Sequence, residues 1–244
     1  MIFSPVSAIP LFLAMLLLLE VGHRLNVRRS IKPNATIDGA VFALFGLLLA
    51  FTFSGAISRY DNHRTFITEE ANNIGTAYLR LDLLPPAQQP VLRQLFRDYV
   101  TSRLHRYTSP TVEPVSPDSI RLQKEIWSQS FGAAAAPGAQ PDAAKLLLPA
   151  LNNMIDITNT RQNAFNMHPP TVVFLLLFVL SCACALLAGF SIAAGSRNWF
   201  HTIAFAAIIS ITIYAILDTE YPRRGLIRLS NYDQVLVDVR DSMK

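Results

Sequence analysis

Charge is scarce in this chain. Asp, Glu, Lys and Arg make up 16% of its 244 residues, against 51% hydrophobic ones, and the mean hydropathy is +0.31. That balance excludes an ordinary soluble domain and points to an integral membrane protein. Cysteine is almost missing. Cys182 and Cys184 are the two, and both lie in an apolar run. Residues two apart on a helix do not face each other, so neither a mutual disulfide nor a two-thiolate metal clip is expected. They read as small apolar fillers. The formal charge of +4 is modest and is not interleaved with aromatics, which excludes nucleic acid as a partner. Juxtamembrane arginines account for the isoelectric point of 9.3.

Catalytic and metal motifs are also missing. The five histidines, His23, His63, His105, His168 and His201, fall in different segments. There is no HExxH, no Cys/His quartet, no GxSxG and no phosphate-cradling glycine loop. Glu69 and Glu70 are adjacent, so they point about 100° apart on a helix and form no catalytic pair. An enzyme is not expected, nor a cofactor, nor a metal site. Few stretches alternate with period two and no internal repeat occurs, so the expected fold class is all-α.

What is present is a sequence organised around residues 39–82. Gly39 to Ser58 carries no charge over about twenty residues, enough to cross a hydrocarbon core as a helix. Arg59 to Asp82 is charged but free of proline, and Gly75 is tolerable inside a helix. The two halves read as one helix, roughly 65 Å long, that leaves the membrane and continues into water until Pro85 and Pro86 stop it. Asp38 or Thr36 is expected to cap its first amides.

Around it, Met1 to Leu19 is apolar, with Pro5 and Pro10 at its start. It has no basic n-region and no cleavage site, so it reads as a retained span over about residues 2–22. His23 to Asp38 reads as a loop bearing Arg24, Arg28, Arg29 and Lys32, with Pro33 and Asn34 as its turn. Helices are expected over Gln88–Tyr107, Ser119–Phe131 and Ala143–Phe165. Their inward residues are Val91, Leu92, Leu95, Phe96, Tyr99, Val100 and Leu104, then Ile120, Ile126 and Trp127, then Leu147, Leu151, Met154, Ile155 and Ile157. A linker with Pro110, Pro114 and Pro117 and the low-complexity run Gly132–Asp142 separate them. Further spans are expected at about 171–194 and 199–217, joined by a turn with Arg197 and Trp199 at the interface. Asp218 marks the boundary where the last span ends, and the tail is expected to pack on the water-facing helices. The organisation is therefore 1–58 membrane, 59–169 extramembrane helical, 170–217 membrane and 218–244 extramembrane tail.

Orientation rests on opposed counts. The basic residues of the short 23–38 loop argue that this loop is cytoplasmic. Arg59, Arg64, Arg223, Arg224 and Arg228 pull the helical region to that side instead.

Two rows mark the membrane half of the long helix. Ala43, Gly46, Ala50, Ser54 and Ser58 recur at three or four residues, a spacing that lets backbones approach closely, either as a packing seam or as a pore lining. Phe45, Leu49 and Phe53 form an i, i+4, i+8 apolar row that would make a dewettable ring if copies surrounded an axis. Phe45, Leu49, Phe53 and Ser54 are the pore-lining candidates. The water-facing half carries an apolar seam (Tyr60, Arg64, Ile67, Ala71, Ile74, Tyr78, Leu81) and a polar one (Arg59, His63, Phe66, Glu70, Asn73, Ala77, Arg80). Arg59, Glu69, Glu70, Asn73 and Arg80 are candidates for charge selection at a pore mouth. The plainer reading is a solvated face or inter-helix salt bridges.

The run Leu47–Pro85 resembles the signature of the bestrophin-like domain family of bacterial membrane proteins. The matching elements are AFTFS (Ala50–Ser54), SRYD (Ser58–Asp61), EEANNIGTAYLR (Glu69–Arg80) and LLP (Leu83–Pro85). LLLPALNNMIDITNTR (Leu146–Arg161) and LDTEYPRRGLIRLS (Leu217–Ser230) also look like that family. Bestrophins are pentameric ion channels with four membrane helices per subunit, a pore lined by the second helix and a helical cytosolic portion. The resemblance thus implies a homo-oligomer, a pentamer if bestrophin-like, in a bacterial inner membrane. It implies small ions and the lipid bilayer as partners, and places Phe45, Leu49 and Phe53 at an apolar neck. It also places the helical insert in the cytoplasm, against the short-loop argument. No acidic cluster of the kind bestrophins use for calcium is present. The competing class is a non-conducting scaffold or sensor that binds a partner protein through Ile67, Ile74 and Leu81.

Overall fold

A computed structural model describes residues 7–29, 34–108, 116–192, 198–222, 226–227 and 229–243. Pro5, Lys32, Pro33, Pro110, Pro114, Ala194, Arg197, Arg223, Arg224 and Arg228 lie outside the described residues. The described residues form eight α-helices in order: α1 (Ala8–Arg29), α2 (Ala35–Leu79), α3 (Gln89–Thr108), α4 (Pro117–Ala134), α5 (Ala143–Asn166), α6 (Thr171–Phe190), α7 (Trp199–Glu220) and α8 (Ser230–Ser242). Among the described residues there is no strand. Among the described residues, four helical stretches are long and apolar enough to cross a membrane: Ala8–Arg28, Ala35–Leu83, Ala143–Phe190 and Trp199–Glu220. The chain is an all-α membrane protein.

The helix at the centre of the sequence is unbroken. α2 runs 45 residues from Ala35 to Leu79, passes Arg59 without a break, and tightens into a 3-10 turn over Arg80–Leu83 before Leu84 becomes extended. It begins earlier than expected because Asn34 is the better cap. The Asn34 Oδ1 accepts the amides of Thr36 and Ile37 at 3.2 and 3.3 Å, as N-cap side chains do. Asp38, the expected cap, is instead buried one turn in, accepting the Ser191 hydroxyl at 3.2 Å. The expected 23–38 loop is correspondingly short, because α1 continues through Arg29. There His23 and Asn26 both reach the Ile192 carbonyl at 3.3 Å.

The chain divides into two compact units. One comprises Met1–Tyr60 and His168–Arg228, the other Asp61–Met167 and Leu229–Lys244. In the first, Leu11, Met15 and Leu19 of α1 repeat every fourth residue and pack with Phe45 and Ala56 of α2. Phe174, Leu177 and Cys184 of α6 and Ile209, Ile213 and Ile216 of α7 complete this core. α1 and α6 cross backbone to backbone. A Cβ on Gly22 would lie 2.2 Å from the Leu186 carbonyl oxygen, and one on Gly189 would lie 2.1 Å from that of Leu19. No side chain fits there, the small-residue contact expected of membrane helices. Cys182 and Cys184 are free thiols, Cys184 fully covered.

In the second unit the apolar seam of α2 is covered: Ile67, Ala71, Ile74, Tyr78 and Leu81 are buried. Ala71, Ile74, Tyr78 and Leu81 share a core with Leu92, Phe96, Tyr99 and Val100 of α3, Leu122 and Ile126 of α4, and Leu147, Leu151 and Met154 of α5. The tail packs here too, with Leu236 and Met243 in the same core. Two expected inward residues face out, Val91 at the N-terminal turn of α3 and Ile120 on α4. Each flanks its helix's buried stripe, which runs through Leu92 and through Leu122–Ile126. Pro149 lies inside α5, and Arg80 donates to the Leu146 carbonyl close to that interruption of the amide ladder.

Candidate functional site

The membrane half of α2 has two unlike sides. Asp38, Phe45 and Thr52 are buried at intervals of seven, with Ala56 beside them, the 3.5-residue seam of a helix laid against neighbours. Phe42, next to that seam, meets Phe205 of α7 edge to face at 6.5 Å. The opposite side is open. Ala43, Gly46, Ala50, Ser54 and Ser58 are all exposed, and a Cβ on Gly39 or Gly46 would meet nothing within 4 Å. In the first unit, then, the small residues are not a seam between this chain's own helices.

The four pore-lining candidates separate accordingly. Phe53 and Ser54 are on the open side, Leu49 is half-buried, and Phe45 is 6% exposed and faces the unit's interior. The reason is geometric. At about 100° per residue an i, i+4 row drifts about 40° each step, so Phe45 and Phe53 differ by about 80° and cannot share one face. Gly46, Ala50, Ser54 and Ser58 recur every four residues and drift in the same way, fanning across the open side.

The polar seam is not a solvated face. Glu70 is completely buried and receives Arg103 Nε on Oε1 at 2.6 Å and Arg103 Nη2 on Oε2 at 3.3 Å. Arg161 Nη1 donates to the same Oε2. Asn73 donates to the Asn153 carbonyl at 3.4 Å, and His63 is buried against the Phe165 ring at 5.6 Å. Arg80 is held by Leu146 as described. Glu69 is exposed, as are Asp61 and Asp82, which pair with Arg64 and Arg93. The inter-helix salt-bridge reading fits Glu70, and the solvated reading is overturned by its burial. Arg103 and Arg161 were given no role from sequence. Their signal was a basic residue in register with a buried stripe: Leu92, Phe96, Tyr99, Arg103 on α3 and Met154, Thr158, Arg161 on α5.

Arg59 belongs to the first unit and also has a committed partner. It forms a bidentate pair with Glu220, the last residue of α7, with Nη2 at 2.7 Å from Oε2. His168 Nδ1 reaches the other oxygen at 3.1 Å. Asp218, on the turn before, is buried and accepts the amides of Leu226 and Ile227 on Oδ2 at 3.0 Å. It anchors the segment leaving α7. Among the described residues no three His, Cys, Asp or Glu side chains are grouped as metal ligands. Both Glu220 oxygens are already engaged by Arg59 and His168. These residues do not fit a calcium site.

Comparison with known proteins agrees with the helical plan. A family model described as Bestrophin-like domain matches residues 9–232. The fold is similar to a structure of a bacterial bestrophin homologue from Klebsiella pneumoniae phased on zinc, at 14% identity and TM-score 0.72, covering 97% of this chain and 98% of that one. A point variant of a Klebsiella pneumoniae homologue aligns at 12% identity and TM-score 0.75 over 99% of both chains. At such identities the likeness is one of fold. No curated protein matches the chain.

Proposed function

The chain belongs to the bestrophin-like family, and from that premise we propose that it is an oligomeric ion channel crossing the bacterial inner membrane four times. The membrane half of α2 in each copy stands around a shared axis, and five copies are the assembly that the resemblance to bestrophins implies. The observation that carries this reading is the open side of α2. A helix with Gly39, Ala43, Gly46, Ala50 and Ser54 uncovered by its own unit offers small residues for close approach of other copies. It also places an aromatic, Phe53, beside a hydroxyl, Ser54, where an ion path would run. Leu49 borders that path, and Phe45 supports the helix from behind. With Glu70, Asn73, Arg80 and Arg59 held by partners within their units, and Asp61 and Asp82 paired with Arg64 and Arg93, Glu69 is the candidate of this stretch offered to passing ions.

The scaffold reading loses the surface that motivated it. Ile67, Ile74 and Leu81 are buried within the second unit and present nothing to a partner. The channel is tested by reconstituting purified protein in a planar bilayer: ion conductance from an oligomer is expected. A monomer by mass in detergent that passes no current would overturn the proposal.

A further inference from the structure

Glu220 closes α7 with a carboxylate that is 1% exposed, yet two other segments of the first unit meet on it. From α2, Arg59 donates Nε to Oε1 and Oε2 at 2.9 Å each and Nη2 to Oε2 at 2.7 Å. From the residue before the two prolines that open α6, His168 presents Nδ1 to Oε1 at 3.1 Å. The Tyr221 ring lies 4.6 Å from the His168 ring, tilted by 44°, and confines it. A glycine completes the arrangement. A Cβ on Gly55 would stand 3.3 and 3.4 Å from the two terminal nitrogens of Arg59, so its absence gives the guanidinium room to lie back along its own helix. His168 itself is 28% exposed at the side chain. Solvent protons reach it while the carboxylate stays covered.

We propose that His168, Glu220 and Arg59 form a proton-responsive clasp that sets how firmly α2 is held to the end of α7. Histidine changes charge between about pH 5 and 8. Neutral, its Nδ1–H gives Glu220 an uncharged donor. Protonated, it gives a charge-assisted bond of roughly twice the strength. Among the described residues, the charged and titratable groups facing it are Glu220 and Tyr221 from the end of α7 and Arg59 from α2. The imidazole touches the Glu220 carboxylate directly, on the oxygen that Arg59 Nε also reaches, so a charge gained by the ring acts on that pair. The clasp is therefore tightened by acid and loosened as pH rises, and its consequence for ion flow rests on the channel reading above.

Two readouts keep the tests separate. Melting of the whole protein in detergent is compared at pH 5.5 and pH 8 for wild type, His168→Gln and Glu220→Gln. His168→Gln keeps a neutral donor that cannot charge, while Glu220→Gln keeps His168 and removes the charge it answers. The expected result is a gap in Tm between wild type and either variant that is wider at pH 5.5 than at pH 8. In bilayers, the ratio of open probabilities at the two pH values should be roughly fivefold nearer unity in the variants, the step from a neutral to a charged hydrogen bond. Equal gaps in Tm at both pH values for both variants would overturn the clasp. Absence of current from every form would overturn the channel while the melting comparison still decides the clasp.

Discussion

Removing one charge and leaving its neighbour in sequence tests the interior of the second unit most sharply. Glu70→Gln preserves side-chain volume and one acceptor oxygen but withdraws the carboxylate from Arg103 and Arg161. Their side chains are 1% and 11% exposed, so little water replaces it. Breaking a buried pair by removing one partner costs about 3–5 kcal/mol. For a unit intermediate in size between the small and large domains for which the scaling is known, 1 kcal/mol moves Tm by about 4 °C. The expected fall is therefore roughly 12–20 °C, read by thermal melting in detergent. Glu69→Gln, one residue away on an exposed site, should move Tm by less than about 2 °C. Adding Arg103→Met to Glu70→Gln should recover part of the loss, since only the less buried Arg161 is then uncompensated and the two effects are coupled. If the two glutamine variants melted within a couple of degrees of each other, the buried three-residue ion cluster would be wrong.

Two further contrasts bear on the first unit. Gly189→Ala places a methyl within 2.1 Å of a carbonyl oxygen and should lower folded yield and Tm by more than the usual 1–3 kcal/mol of overpacking. Gly46→Ala, in open space, should leave the single chain as stable or about 0.5–1 kcal/mol more so. Mass measurement and melting of the two variants separate these outcomes. Phe45→Ala should destabilise by about 3 kcal/mol as a cavity with little change in unitary current, whereas Phe53→Ala should raise current and leave melting nearly unchanged. The reverse pattern in single-channel records would refute the assignment of the two rings to different faces of α2.

The spans, the helical insert and the continuity of α2 were legible because they follow from hydropathy and from the absence of proline between Asn34 and Leu84. Such local features need no knowledge of neighbours. The burial of Ile67, Ile74 and Leu81 was equally visible as a periodic row. The direction in which Phe45 and Phe53 point was not, since an i+4 row looks straight on paper and drifts on a helix. The polar seam misled for a different reason. A carboxylate on a mostly charged stretch reads as solvated until its partners are known, and Arg103 and Arg161 come from helices whose placement the sequence does not state. Glu220 was hidden likewise, because a charge at the end of a span looks like a membrane boundary until an arginine from another helix is found on it.

The glycine crossing of α1 and α6 also imposes an order on assembly. Its two halves are separated by roughly 170 residues of chain, about 10–30 s of synthesis at typical rates. Throughout that interval the first span must sit in lipid with a bare strip of backbone awaiting its mate. Most of the second unit is translated in the meantime, but α8, which completes its core, follows the last span, so neither part of this protein can close until the chain is nearly complete.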